Sequence, residues 1–427
     1  MTDTKENSTT KSTENIPQPN QTEKQNNSEQ HDSTPSPETE PEPKPQLEKY
    51  RHISYFKRFL SLLPSQFESE DSNKLAIIYF SLCGLDLLNA IPSVFPNKTE
   101  VQSHIDWIYA HSITTESYFG FRGSLVYQHC GNERYDPINL ASTCFALQIL
   151  LLLGDDLARV NRVKLMRYLK LCQNEEGSFA PFVELESGKK LGDVDVRYCM
   201  LAALLRKLIK WEEYLEERKL KHTDDDSNDV FDIDIDSLTR YIKSLKSFDG
   251  GLAQASMLES HAGLTYCGLC ALSMINQLHP EEWQDTIDFL VHRQLYYNSY
   301  NQTELRDNEY AELEDNGGFD GRVNKYADTC YAFWCCASLD LLGGLDLVHG
   351  DAVLGYLLEQ TQHPYMGGFL KTNDDDMPDP LHSFLGLCVC CFFGKKEYGC
   401  DGLDKVDSGF VLSKKAVEHW KAIKFVD

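Results

Sequence analysis

The feature that most constrains this chain is an internal repeat. A glycine turn followed by an apolar residue recurs as Gly177-Ser178-Phe179, Gly250-Gly251-Leu252, Gly317-Gly318-Phe319 and Gly367-Gly368-Phe369. After each turn comes an apolar stretch with an aromatic near its start, around Arg197-Tyr198, Thr265-Tyr266, Cys330-Tyr331 and Ser383-Phe384. Phe121-Arg122-Gly123, followed by Ala141 to Leu153, reads as a degenerate first copy. The period of about 50 to 70 residues lies within or just above the range of helical arrays. Glycine ends one helix and admits close backbone approach to the next unit. Helices that are apolar almost all round need burial on several sides. Strand-type alternation is absent, so the expected fold is all-α. Buried helices wrapped by a more polar set close into an α/α barrel, a toroid with a central apolar cavity; an open solenoid without a cavity satisfies the same pattern. The inner helices are expected to begin at one rim, where the glycine turns cluster, and a site is sought there.

Composition sets the boundaries. Residues 1–48 are polar and Pro-rich with almost nothing to bury, and are expected to be disordered. They lack the apolar core of a signal peptide, and no stretch reaches the roughly 18 apolar residues of a membrane span. Order is expected from residue 49 to 427 as one domain, with a helix running to Pro64 and a second, apolar helix over Leu75 to Leu88. Polar insertions near 216–236 and 296–315 read as surface loops. A net charge of −25, from 66 acidic and 41 basic residues, argues against nucleic-acid binding and suits a basic partner or substrate tail. Most of the 14 cysteines sit in apolar runs, as buried thiols of a reducing compartment do, which points to the cytoplasm.

The chemistry concentrates in the last two repeats. Asp328-Thr329-Cys330 opens one inner helix and His382 the next. Asp, Cys and His all ligate Zn²⁺, and three protein ligands leave a position open, as in catalytic sites. Read singly, Cys330 is a core cysteine and His382 a packed histidine; only the repeat register joins them. Arg322 and Lys325 lie just before that helix, Tyr331 follows Cys330, and His261 occupies the same repeat position one unit earlier. Such a group beside helix N-termini suits a diphosphate, though solvated loop charges give the same pattern. Trp334, Phe333, Tyr266, Phe384 and Phe80 fall on buried faces, either as ordinary core or as the wall of a hydrocarbon funnel.

From about Arg51 to Phe393 the chain resembles β subunits of protein prenyltransferases, those of protein geranylgeranyltransferase type I most closely. The resemblance is carried by Gly154 to Asn161 (GDDLARVN), Gly250 to Gly268 (GGLAQASMLESHAGLTYCG), Asp328 to Trp334 (DTCYAFW) and Pro378 to His382 (PDPLH). It implies Asp328, Cys330 and His382 as zinc ligands that activate a substrate thiol, and His261, Arg322, Lys325 and Tyr331 as contacts to the prenyl diphosphate. It also implies Arg197 and Trp334 in the cavity wall. A small residue, Ala76, would stand on the funnel floor where farnesyl enzymes carry tryptophan, with Leu385 near a second length-setting position. Lys371 stands where farnesyl enzymes use an aspartate for Mg²⁺; Asp374 to Asp376 follow closely, and the Mg²⁺ requirement stays open. Asp379, three residues before His382, is expected to orient it.

The resemblance further implies a heterodimer with a crescent-shaped α subunit that contributes a lysine. The substrates would be geranylgeranyl diphosphate and C-terminal CaaX proteins with X as Leu or Phe, such as Rho-type small GTPases. The competing readings are a farnesyltransferase β subunit, a Rab-type geranylgeranyl enzyme, a terpene cyclase-like barrel and a non-catalytic binding module.

Overall fold

The computed structural model describes residues 43–125, 137–221, 231–298, 302–309 and 311–425. Six apolar helices form an inner ring, and each is preceded in the chain by an outer helix. In chain order these are α1 (Lys49–Ser61, outer), α2 (Lys74–Leu87, inner), α3 (Lys98–Tyr109), α4 (Leu140–Leu152, inner), α5 (Arg162–Cys172), α6 (Val196–Leu208, inner), α7 (Ile235–Ser244), α8 (Ala262–Met274, inner), α9 (Gln284–Val291), α10 (Thr329–Leu342, inner), α11 (Gly350–Gly355) and α12 (Pro380–Phe393, inner). Each inner helix packs on the next, and α12 packs back on α2, so the ring closes. This is the α/α toroid, with a core contributed by every inner helix. Strands are confined to small antiparallel hairpins: β1 (Ser112–Thr114) with β2 (Phe119–Phe121), β3 (Phe182–Glu184) with β4 (Lys189–Leu191), and β5 (Val406–Asp407) with β6 (Leu412–Ser413).

The repeat is legible as a hydrogen-bonding scheme. Polar residues cap five inner helices through side-chain bonds to first-turn amides: Asn139, Asp195, His261, Asp328 and Asp379. The glycine turns do something other than mark the mouth. Gly177, Gly250, Gly317 and Gly367 all have positive φ. A Cβ on them would lie 2.2 Å from Ser237 O, 2.4 Å from Asp285 O, 2.1 Å from Ala352 O and 2.4 Å from the Arg51 carbonyl carbon. Each turn therefore presses against the start of the following outer helix, and the last one, at α1, closes the ring. Glutamines add a second stitch. Gln173, Gln294 and Gln362 accept from the backbone amides of Asp234 (2.7 Å), His349 (2.9 Å) and Glu48 (2.9 Å). Those three residues are the N-caps of α7, α11 and α1.

Several sequence boundaries move. Most of the polar N-terminal segment lies outside the described residues, but Leu47 is buried and its amide donates to Tyr398 O, so the packed chain begins before residue 49. The insertion near 216–236 is not all loop. A helix spans Trp211–Lys221 because Trp211 and Tyr214 stack in the core, Ile235 already begins α7, and residues 222–230 lie outside the described residues. In the 296–315 stretch a helix spans Gln302–Asp307, and Asp315 is buried rather than solvated. Residues beyond α12 also fold in. The β5–β6 hairpin enters the bore, where Tyr79 Oη donates to Val411 O (2.7 Å), Gln148 Nε2 to Phe410 O (2.8 Å) and Tyr266 Oη to Ser408 O (2.7 Å). These polar side chains from α2, α4 and α8 satisfy a buried hairpin backbone that would otherwise be unpaired.

Candidate active site

The site residues gather at the N-terminal ends of the inner helices. Asp328 caps α10, Cys330 lies in its first turn, and His382 lies in the first turn of α12. Their ligand atoms all fall within 4.8 Å of one another, with Asp328 and His382 buried and Cys330 half-buried. His382 Nε2 is 3.4 Å from Asp328 Oδ1, and its Nδ1 is 2.5 Å from Asp379 Oδ2. Asp379 thus holds the ring while its other oxygen caps α12 at the amides of Leu381 (2.9 Å) and His382 (3.1 Å). Burial opposes a charged imidazole, yet bonds to Asp328 and Asp379 push His382 up to about 12. Burial pushes the Cys330 thiol up to about 11. Burial also works to raise Asp328, but His382 outweighs it and holds the carboxyl below its usual value. The donor set is arranged around positive charge. It fits a thiophilic, imidazole-accepting dication such as Zn²⁺, which would displace protons.

Beside this cluster His261 caps α8 through Nδ1, which accepts from Gly263 N (3.0 Å) and Leu264 N (3.4 Å). Burial and the nearby Arg322 lower its pKa, so the ring is neutral with its proton on Nε2. That proton is donated to Tyr331 Oη at 3.1 Å, which leaves the phenol's own hydrogen free for an acceptor in the bore. Gly321 makes room for this phenol: a Cβ there would lie 2.1 Å from the ring. Arg322 is half-buried and 3.3 Å from Glu259, and Lys325 is exposed on the same loop. Three cationic or donor groups and the α8 and α10 N-termini therefore flank one spot.

The cavity wall differs from the sequence reading in detail. Ala76 lines a cavity of about 330 Å³ together with Tyr198, Phe145, Phe182, Asn139 and Arg122. It lies in the first turn of α2; one turn deeper, Phe80 packs with Tyr79, Phe145 and Phe384. Trp334 is half-buried against Tyr266, their centroids 5.0 Å apart. Tyr266, Phe384 and Leu385 are at most 1% exposed, so they are core and not wall. Trp334 and Phe333 cover Tyr266, whose hydroxyl is spent on the hairpin; Tyr79 and Phe80 cover Phe384; Leu385 is enclosed in the same core. Phe333 is likewise fully buried. Arg197 is exposed, and its guanidinium pairs with its own helix cap Asp195 at 2.5 Å. Asp374 and Asp375 turn onto Thr372, at 2.6 and 3.1 Å, and the metal-competent cluster among the described residues is the Asp328 group alone. The sequence marked Tyr198 only as a repeat aromatic and did not name Phe145; neither was read as lining the cavity, although they lie on the inner helices two and one units on from that of Ala76.

Comparison with known proteins agrees with this geometry. The family described as "Prenyltransferase alpha-alpha toroid domain" matches residues 47–412. The chain is 31% identical over 351 residues to the geranylgeranyl transferase type-1 subunit beta of Arabidopsis thaliana, covering 79% of this chain and 83% of that one. It is 28% identical to the protein of the same name from Dictyostelium discoideum, covering 79% and 88%. Among solved structures it resembles Candida albicans protein geranylgeranyltransferase-I complexed with GGPP, with a TM-score of 0.78, 34% identity and coverage of 89% of this chain and all of that one.

Proposed function

Because the chain belongs to the prenyltransferase α/α-toroid family, we infer that it is the catalytic β subunit of a protein geranylgeranyltransferase type I. It transfers the geranylgeranyl group of geranylgeranyl diphosphate to the cysteine thiol of a C-terminal CaaX sequence. The observation that carries the reading is the convergence of Asp328, Cys330 and His382 beside His261, Tyr331, Arg322 and Lys325. Its relatives bear that enzyme's name over most of both chains.

Asp328, Cys330 and His382 would hold one Zn²⁺, and bound zinc supplies a Lewis acid that lowers the pKa of a coordinated thiol. A free thiol, with a pKa of about 8.5, is mostly protonated at neutral pH. The protein's own groups handle the leaving group. As the new S–C bond forms, the C–O bond to diphosphate breaks and negative charge grows on the departing oxygens. Tyr331, polarised by His261, donates to that charge, and Arg322 and Lys325 neutralise it, stabilising the transition state more than the ground state. The hydrocarbon would lie in the cavity lined by Ala76, Phe145 and Tyr198.

The partner would be a prenyltransferase α subunit. Around the site the chain leaves large apolar side chains in water, among them Met257, Leu258, Val323, Tyr326 and Met377. Their placement just before His261, within the Arg322 loop and just before Asp379 suits a protein that docks over the mouth. Among the described residues no helix is long and apolar enough to cross a membrane. The thirteen described cysteines are free thiols, which suits the cytoplasm.

The test is reconstitution with an α subunit. The complex is expected to contain one zinc per β chain and to prefer geranylgeranyl diphosphate with a peptide ending in Leu. Cys330→Ala and His382→Ala are expected to lose both metal and transfer. An active complex free of zinc, or metal retained by both variants, would overturn the assignment.

A further inference from the structure

Beneath the exposed loop that carries Arg322 and Lys325 lies a buried ion pair. Arg293, just past the end of α9, places Nη1 3.2 Å from Asp320 Oδ1, and both side chains are about nine-tenths or more buried. The two atoms touch as charges without a linear hydrogen bond. Asp320 opens the loop. Its amide donates to Arg293 O (3.0 Å), which ties the loop to the end of α9. A second buried acid, Asp315, accepts from Ala327 N (3.0 Å) where the loop re-enters the core. Gly321 O takes the Ala262 amide at the start of α8 (3.0 Å). Every fixed point of the loop is thus below the surface, while Val323 to Tyr326 remain outside, with Asn324 in the left-handed region at φ 55°.

We propose that Arg293 and Asp320 are positioning residues for the diphosphate: the buried pair and the Asp320 amide pin the loop to the end of α9, and Arg293 cancels the carboxylate's charge so that the loop above stays attractive to an anion. The argument rests on the geranylgeranyltransferase reading for the identity of that anion. A carboxylate lying under a phosphate-binding loop is unfavourable for binding unless its field is neutralised close by. Arg293 is the cation in contact with it. Removing one partner of a buried pair leaves an uncompensated charge, the costly case, whereas removing both is milder.

This predicts an asymmetry that a merely structural pair would not give. Asp320→Asn keeps the side chain's size, removes the anion and loosens the pin; Arg293→Gln leaves the anion exposed to the ligand. The experiment measures binding of geranylgeranyl diphosphate, and of inorganic pyrophosphate as a tail-free probe, to the α/β complex. Zinc content and CaaX peptide affinity are followed in the same proteins. Arg293→Gln is expected to weaken both diphosphates about tenfold or more, with zinc and peptide binding unchanged. Asp320→Asn is expected to weaken them less, and the Arg293→Gln/Asp320→Asn double variant is expected to recover most of the Arg293→Gln loss. Equal affinity in all variants, or parallel loss of lipid, peptide and zinc binding, would overturn the proposal. A wild-type complex that binds no geranylgeranyl diphosphate would instead overturn the functional reading itself.

Discussion

Asp379 does two jobs through two oxygens, and substitution can separate them. One oxygen caps α12 at the amides of Leu381 and His382; the other lies 2.5 Å from His382 Nδ1. Asparagine caps a helix about as well as aspartate, whereas alanine forfeits about 1 kcal/mol. A carboxylate behind a ligating histidine raises its basicity and fixes its ring, and losing such a partner typically lowers metal affinity about 10- to 100-fold. Asp379→Asn should therefore weaken zinc binding by that factor and, without metal, lose the charged bond to His382, about 1.5–3 kcal/mol, while keeping the helix cap. Asp379→Ala should show the same loss of metal affinity and be about 1 kcal/mol less stable than Asp379→Asn. The assay is chelator competition for zinc affinity, paired with denaturant unfolding in excess chelator so that metal linkage does not enter the stability. Wild-type zinc affinity in Asp379→Asn would refute the orienting role. Equal destabilisation of the Asn and Ala variants without metal would refute the capping argument.

Gly367→Ala should destabilise the protein by more than 2 kcal/mol in denaturant unfolding, since a left-handed residue costs about 1–2 kcal/mol and its Cβ would meet unyielding backbone at Arg51. Gly154→Ala, at φ 79° with open space around it, should cost only the backbone part. Ala76→Trp should shrink the cavity beside Tyr198 and Phe145 and shift preference toward farnesyl diphosphate in a paired-substrate assay; unchanged preference would remove Ala76 from length selection. Burial raises the Asp315 carboxyl to about 6, from 3.8. The folded state then binds more protons than the unfolded chain between these values, so stability should fall as pH rises from about 4 to 6. Asp315→Asn should flatten that slope in urea melts across the range.

The repeat spacing, the apolar character of Leu75 to Leu87 and Ala262 to Met274, and the cap residues before each inner helix are local facts, so the toroid and the Asp328, Cys330 and His382 register could be read from the chain. The same register placed His261 beside Tyr331. Which apolar side chains face the bore was not local. Tyr266, Phe384 and Leu385 have the composition of a wall but are sealed by neighbours from other helices, because a side chain's exposure depends on what packs opposite it and not on its own helix. The closing contact of Gly367 on α1 joins residues more than three hundred positions apart. The C-terminal hairpin in the bore and the Arg293–Asp320 pair beneath the cationic loop likewise join segments distant in the chain. Periodicity reports what one helix must bury. Only tertiary packing decides which partners bury it, which polar atoms they satisfy, and where space is left for a substrate.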